Sequence, residues 1–102
     1  MTQEITRDQF AECLNTDFIV EFGPENKITM KLIEVTELRE KFRQQTFALL
    51  FAAPEDTPAA QAQFNVENEK LGKTDLFMVP VGKDDRGMLF ESVFNKLLER
   101  AQ

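Results

Sequence analysis

The side chains available for chemistry in this 102-residue chain are mostly carboxylates. The sequence contains no His, one cysteine (Cys13) and one serine (Ser92). Without His there is no Ser-His-Asp or Cys-His arrangement and no default general base near neutral pH. Zinc sites of the usual His and Cys ligands are excluded for the same reason. A single cysteine cannot form an internal disulfide, so we expect Cys13 to be a buried structural thiol in a reducing compartment.

Two pairs of carboxylates lie close together in the sequence. Asp84 and Asp85, in GKDDRG, could help to hold a hard cation, but the EF-hand spacing and its closing Glu are absent. Adjacent acids at a hairpin tip usually form the turn and face solvent. Glu67 and Glu69 would share one strand face, as a glycosidase pair does, although a solvated surface also explains them. We predict no catalytic, cofactor-binding or metal-binding residue and no enzymatic activity.

The charge of the chain limits its partners. Eighteen acidic and twelve basic residues give a net charge of −6. This charge opposes binding to nucleic acid and to anionic membranes. The local exception is Arg39, Lys41 and Arg43, which form either a solvated loop or a docking site for an acidic partner. These three are the candidate partner-binding residues, and we expect the partner to be a protein, with a second copy of this chain as one option.

No segment indicates export or membrane insertion. The first ten residues lack the basic start and apolar run of a signal peptide. No apolar stretch approaches the ~20 residues that span a bilayer. We therefore expect a cytoplasmic protein, or one exported by a route that leaves no mark at its N-terminus.

Local patterns predict a short helix followed by strands. Thr6 is a good N-cap, and Gln9 completes a capping box three residues later. Alternating apolar residues predict strands at 17–22 and 27–35, and the alternation slips at Leu32 and Ile33, which indicates a β-bulge. The charged segment 37–45 is expected to be a loop.

The second half of the chain continues the pattern of strands. Alternation and turn residues predict strands at 46–53, 61–68, 74–81 and 88–94. Segments 46–53 and 74–81 are apolar on both faces, so we expect them to be covered on both sides. Pro80 cannot donate to a ladder and should lie at an edge or a bulge. A short closing helix is expected from the spacing of Phe94, Leu97, Leu98 and Ala101.

The predicted fold is one domain over residues 1–102, mainly β and at the margin of α+β. About six short strands joined by tight turns indicate a small antiparallel barrel or sandwich with an N-terminal and a C-terminal helix. All ten aromatic residues are Phe, which fills space without a polar handle. The predicted core contains Phe18, Val20, Phe22, Phe47, Leu49, Phe51, Phe64, Leu76, Met78 and Phe90.

The segment from Phe47 to Asn95 contains motifs that also occur together in other proteins. These are FALLFAAP, Leu71-Gly72, LFMVPVG, and Gly87 followed by FESVFN. With them the chain resembles an uncharacterised family of small bacterial β domains of about its own length. The resemblance implies no activity and no site residue. It implies an association with phage-tail or tail-collar-like genes for some members.

The leading functional expectation is a non-enzymatic binding or assembly module, of the kind found in a phage-tail-like structure. Two alternatives remain open. A Phe-lined interior could hold a small apolar ligand, although about 100 residues barely enclose such a cavity. The other alternative is a carboxylate-based hydrolase.

Overall fold

The structure, a computed structural model, describes residues 5–97 as one short helix and seven strands. In chain order the elements are α1 (Arg7–Ala11), β1 (Asp17–Gly23), β2 (Asn26–Val35), β3 (Arg39–Lys41), β4 (Gln44–Ala53), β5 (Ala62–Asn68), β6 (Gly72–Asp84) and β7 (Gly87–Leu97).

The strands form one antiparallel sheet that closes on itself. Its order is β2-β1-β5-β6-β7-β4-β3, and an additional pairing joins β2 to β4. That pairing runs from Lys31↔Ala52 to Val35↔Leu49 and closes six strands into a barrel, with β3 as an extra strand beside β4. The prediction of a mainly β antiparallel fold is confirmed, and the β2–β4 pairing decides for a barrel over a sandwich.

Two β-bulges bend the strands toward closure. The register between β2 and β4 shifts at Ile33, where the sequence predicted a bulge. The register between β6 and β7 shifts between Pro80 and Gly82, which confirms the prediction that Pro80 lies at an edge or a bulge. An extra residue on one strand increases the local twist, so these bulges help a short sheet to curve into a closed barrel.

The N-terminal helix begins as the sequence predicted. The backbone N–H of Gln9 donates to Thr6 Oγ1 at 3.2 Å, and the backbone N–H of Thr6 donates to Gln9 Oε1 at 2.8 Å, which completes the capping box. Phe10 is the fully buried residue of this helix. Its ring lies 5.4 Å from that of Phe94 and 6.2 Å from that of Phe47. The helix is therefore held at one end of the barrel by aromatic packing.

Inside the barrel the inward-facing residues pack against one another. All predicted core residues except Phe22 are buried. Phe22 is partly buried and stacks on Phe64 with 4.6 Å between ring centroids. Phe18 meets Phe51 edge to face at 5.2 Å. The buried set also includes Phe10, Cys13, Met30, Leu32, Ala53 and Val66.

Cys13 belongs to a buried hydrogen-bond network at the helix end of the barrel. Its Sγ lies 3.5 Å from Asn68 Oδ1, which also accepts the backbone N–H of Lys70 at 2.8 Å. Asn68 Nδ2 donates to Thr16 Oγ1 at 3.1 Å and to the carbonyl of Asp17 at 3.0 Å. Burial raises the pKa of the thiol. The contacts are those of a structural thiol that ties the helix segment to the barrel.

Two predicted segments differ in the structure. Residues 37–45 are not a continuous loop, because Arg39–Lys41 form β3 and β4 begins at Gln44. The strand β3 forms by pairing with the start of β4, where Arg39 lies opposite Thr46 and Lys41 opposite Gln44. The charged residues of this segment do not by themselves reveal that pairing. The predicted closing helix is wrong from Phe94 to Leu97, because β7 extends through these residues by pairing with β4. Leu98 and Ala101, the remainder of that prediction, lie outside the described residues.

The barrel is split where β6 and β7 diverge. Their pairing covers only Val79↔Glu91 to Asp84↔Gly87. Residues 72–78 pair with β5, and residues 92–97 pair with β4. A groove therefore opens between the two strands at the end of the barrel that holds α1.

Candidate functional site

One outer face of the barrel is apolar across three neighbouring strands. Alternation places every second residue of β6, β7 and β4 outside. Cross-strand pairs then bring Ala48 beside Val93 and Ala52 beside Leu89. We call this surface the outer face; its members are Ala48, Leu50, Ala52, Phe77, Val79, Val81, Leu89, Glu91 and Val93.

The outer face is not covered by any part of residues 5–97. Phe77, Val81 and Val93 are 48%, 50% and 52% exposed. The helix packs against β2 and, through the ring of Phe10, against Phe47 and Phe94 at the end of the barrel. The sequence predicted cover on both sides of segments 46–53 and 74–81, and within the described chain this prediction is wrong for the outer side. Both faces of these two segments are apolar, but within the described residues only the inner face is buried by other side chains.

Glu91 lies in the middle of the outer face. Its cross-strand partners are Leu50 on β4 and Val79 on β6. The side chain is half-buried, and no salt bridge or hydrogen bond within residues 5–97 engages its carboxylate. A charge among apolar neighbours is most stable when an opposite charge is brought to it. The outer face is thus an apolar surface with an anionic centre.

The candidate partner-binding residues Arg39, Lys41 and Arg43 come together at the β3–β4 hairpin. Arg39 and Lys41 face the same side of β3, opposite Thr46 and Gln44 of β4. Arg43 lies in the turn, and all three cations are exposed. The structure therefore places the predicted basic cluster on a projecting hairpin and not on a loop.

Sequence reasoning missed Phe42, which is the most exposed large apolar side chain of the described chain at 86%. The Lys41 ammonium lies 5.4 Å from the centre of its ring, within cation–π distance. We call Lys41, Phe42 and Arg43 the hairpin tip. The signal that could have found it is an aromatic residue next to an Arg, since both residue types are enriched at protein interfaces.

The turn at the hairpin tip is strained. Phe42 and Arg43 have φ values of 52° and 66°, as the two central residues of a type I′ turn require. Asn-Gly is the usual sequence there, since side chains with a bulky Cβ substituent rarely adopt positive φ. Each such residue costs roughly 1 kcal/mol or more. Phe42 and Arg43 therefore occupy this turn at a cost in stability.

The groove at the split end of the barrel has an apolar floor and a charged rim. It measures about 1060 Å³, and its floor includes Phe47 and Phe94, whose rings stack at 4.7 Å. We call it the end groove; it is lined by Ile5, Thr6, Arg7, Asp8, Phe10, Glu37, Leu38, Gln45, Phe47, Thr74, Asp75, Leu76, Phe94, Asn95 and Lys96.

The carboxylate pairs singled out in the sequence do not form a shared site. Asp84 binds Arg86, with 2.6 Å between its Oδ2 and the guanidinium Nη2. The hydrogen bonds from Arg86 hold the pKa of the Asp84 carboxyl below its ordinary value. Glu67 lies on β5, whereas Glu69 lies in the turn that follows, so the strand-face pair is not formed. Within residues 5–97, no three Cys, Asp or Glu side chains are grouped to hold a metal ion.

These features define a small closed antiparallel β-barrel domain with an uncovered apolar outer face. Residues 5–94 match the family described as Domain of unknown function (DUF6916), and the chain belongs to that family. The expected resemblance to an uncharacterised family of small domains is thereby confirmed. Comparison with curated proteins and with solved structures gives no match. Across residues 5–97, no helix is long and apolar enough to cross a membrane.

Proposed function

We propose that this protein is a non-enzymatic binding or assembly module that docks another protein on its outer face. The observation that carries the proposal is the apolar surface of β6, β7 and β4, on which Phe77, Val81 and Val93 are each about half exposed. Burying the exposed half of each such side chain contributes roughly 1 kcal/mol. A phage-tail-like particle, cytoplasmic during its assembly, is the setting that the sequence resemblance favours.

The central charge specifies the chemistry of the partner. A second copy docked face to face about a two-fold axis would bring Glu91 against Glu91, and like charges out of water repel strongly. A partner with an apolar surface and a central Lys or Arg would instead pair with Glu91 and cover its apolar neighbours. The outer face therefore fits a different protein better than a second copy of this chain.

The packing of the interior favours this function over carriage of a small apolar ligand. The rings inside the barrel contact one another, as Phe18 does with Phe51 at 5.2 Å and Phe22 with Phe90 at 6.1 Å. Side chains that fill a barrel in this way act as its core.

Site-specific photo-crosslinking in the cells that produce the protein tests the proposal. A photo-reactive phenylalanine analogue replaces Phe77 or Val93 on the outer face, and Asn65, exposed on β5, serves as the control position. We expect one discrete adduct with a second protein from positions 77 and 93 and none from position 65. Glu91→Lys should abolish the adduct, because it opposes the partner's positive charge, while Glu91→Gln should weaken it. The same adduct from position 65, or no adduct from the outer face, would contradict the proposal.

A further inference from the structure

We propose that two copies of this chain form a reciprocal dimer in which the hairpin tip of each copy inserts into the end groove of the other. This dimer uses a surface separate from the outer face and does not depend on the function proposed above.

The hairpin tip has the properties of an interface anchor. Phe42 is 86% exposed and is flanked by the cations Lys41 and Arg43. The positive φ values of Phe42 and Arg43 show that the turn bears conformational strain while displaying them. Strain of this kind concentrates at functional sites, and aromatic and Arg side chains dominate the energetics of interfaces.

The end groove is complementary to that tip in shape and charge. Its apolar floor, with the stacked rings of Phe47 and Phe94, can bury an aromatic ring. Three exposed carboxylates line it, those of Asp8, Glu37 and Asp75. The groove also contains two cations, Lys96 and Arg7.

Both cations are already engaged within the chain. Arg7 Nε donates to the carbonyl of Thr36 at 2.9 Å, and its Nη1 lies 3.3 Å from Asp8. Glu37 and Asp75 have no such partner within residues 5–97. These two carboxylates remain available to the cations of an incoming hairpin tip.

The hairpin tip and the end groove lie at the same end of the barrel, so each of two copies can insert its tip into the groove of the other. Glu37, Leu38 and Gln45 line the groove, and the β3–β4 hairpin continues beyond them. Gln45 and Lys96 on the groove wall lie level with Glu40, two positions before Phe42, so at ~3.3 Å per residue the tip projects roughly 7 Å past the groove wall. Two copies that meet end to end about a two-fold axis can each place a tip in the other's groove, which forms a closed, isologous dimer.

A second copy fits these features better than a membrane surface. The carboxylates of Asp8, Glu37 and Asp75 lie at the same end of the barrel as the tip and would face the anionic lipid that the cations attract. In the dimer, the same carboxylates pair with the cations of the second copy's hairpin tip.

Sedimentation equilibrium of the full chain tests the dimer. We expect a monomer–dimer equilibrium that weakens with added salt, because exposed charge pairs are screened. Phe42→Ala removes two anchors per dimer and should raise the dissociation constant at least ~100-fold, with about tenfold or more for each anchor. Phe77→Ala, the same substitution at a half-exposed Phe of the outer face, should leave the constant unchanged.

Two further variants separate loss of the interface from loss of folding. Replacing Phe42-Arg43 by Asn-Gly suits the type I′ turn, so it should raise the melting temperature of the monomer while abolishing the dimer. A reversed-tip chain (Lys41→Glu, Arg43→Glu) and a reversed-groove chain (Glu37→Lys, Asp75→Lys) should each be monomeric alone. Mixed together, they should form a heterodimer, because each tip then meets a groove of opposite charge.

Several results would overturn the proposal. The wild-type chain could remain monomeric at roughly 100 µM, a concentration 100-fold above the dissociation constant expected for an interface of this kind. The dimer could persist in Phe42→Ala, or the two reversed chains could fail to pair when mixed. Binding to vesicles of anionic phospholipid by the wild-type monomer, lost in Phe42→Ala, would assign the tip to a membrane surface. Displacement of 1-anilinonaphthalene-8-sulfonate from a monomer by fatty acid would assign the groove to a small apolar ligand.

Discussion

Phe51→Ala is the most direct test of the barrel interior. Phe51 is fully buried, lies between Leu32 of β2 and Phe90 of β7 in the ladder, and meets Phe18 edge to face at 5.2 Å. Truncation of a buried Phe to Ala costs ~3–5 kcal/mol, because apolar area is lost and a cavity remains. The lost aromatic pair is included in the upper part of that range. We therefore expect a decrease of about 4 kcal/mol in the free energy of unfolding.

Guanidinium unfolding followed by circular dichroism measures this change. With an m-value of ~3 kcal/mol/M for a chain of this size, a decrease of about 4 kcal/mol moves the midpoint down by roughly 1.3 M. Phe77→Ala provides the matched control, since the same atoms are removed from a side chain that is 48% exposed. Its cost should be about 1 kcal/mol or less. Equal costs for the two variants would show that the barrel is not closed around Phe51 as described.

Two further predictions concern the helix end of the barrel. Thr6→Ala should lower the free energy of unfolding by about 1 kcal/mol, because Gln9 loses its capping acceptor; an unchanged midpoint in the same guanidinium assay would argue that the helix does not contribute to stability. Burial raises the pKa of the Cys13 thiol above its ordinary value of 9.0, so the folded state favours the protonated form. Its stabilising contribution is full below the unfolded pKa and is lost as pH rises through the folded pKa, so stability should fall above about pH 9. Cys13→Ala should reduce that decline, and a wild-type decline no steeper than that of the variant would refute the assignment.

Patterns of neighbouring residues determined much of the local structure. The capping box at Thr6 and Gln9 and the slip at Leu32 and Ile33 are set by hydrogen bonds and pleat geometry within a few residues, so they could be predicted from the sequence. The sequence also predicted that Pro80 lies at an edge or a bulge, because proline has no N–H to donate, and the structure has a bulge there. Most of the core could be predicted for the same reason, since alternation along a strand assigns each side chain to one face.

Tertiary pairing decided what the local patterns left open. The choice of a barrel over a sandwich depends on the pairing of β2 with β4, residues far apart in the chain. The same dependence explains β3, since Arg39–Lys41 become a strand only by pairing with residues of β4. Phe94 has helical spacing to later apolar residues, yet pairing with Phe47 makes it part of β7.

The candidate surfaces show the same division between sequence and structure. The sequence identified Arg39, Lys41 and Arg43 as a basic cluster and showed that two segments are apolar on both faces. Only the closed barrel determined that β6, β7 and β4 lie side by side, which gathers their outward residues into one uncovered face around Glu91. Only the backbone angles at Phe42 and Arg43 revealed a strained turn, because φ is set by the two-residue connection between β3 and β4. Composition and periodicity act over a few residues, whereas a surface is made by strands that the sheet brings together.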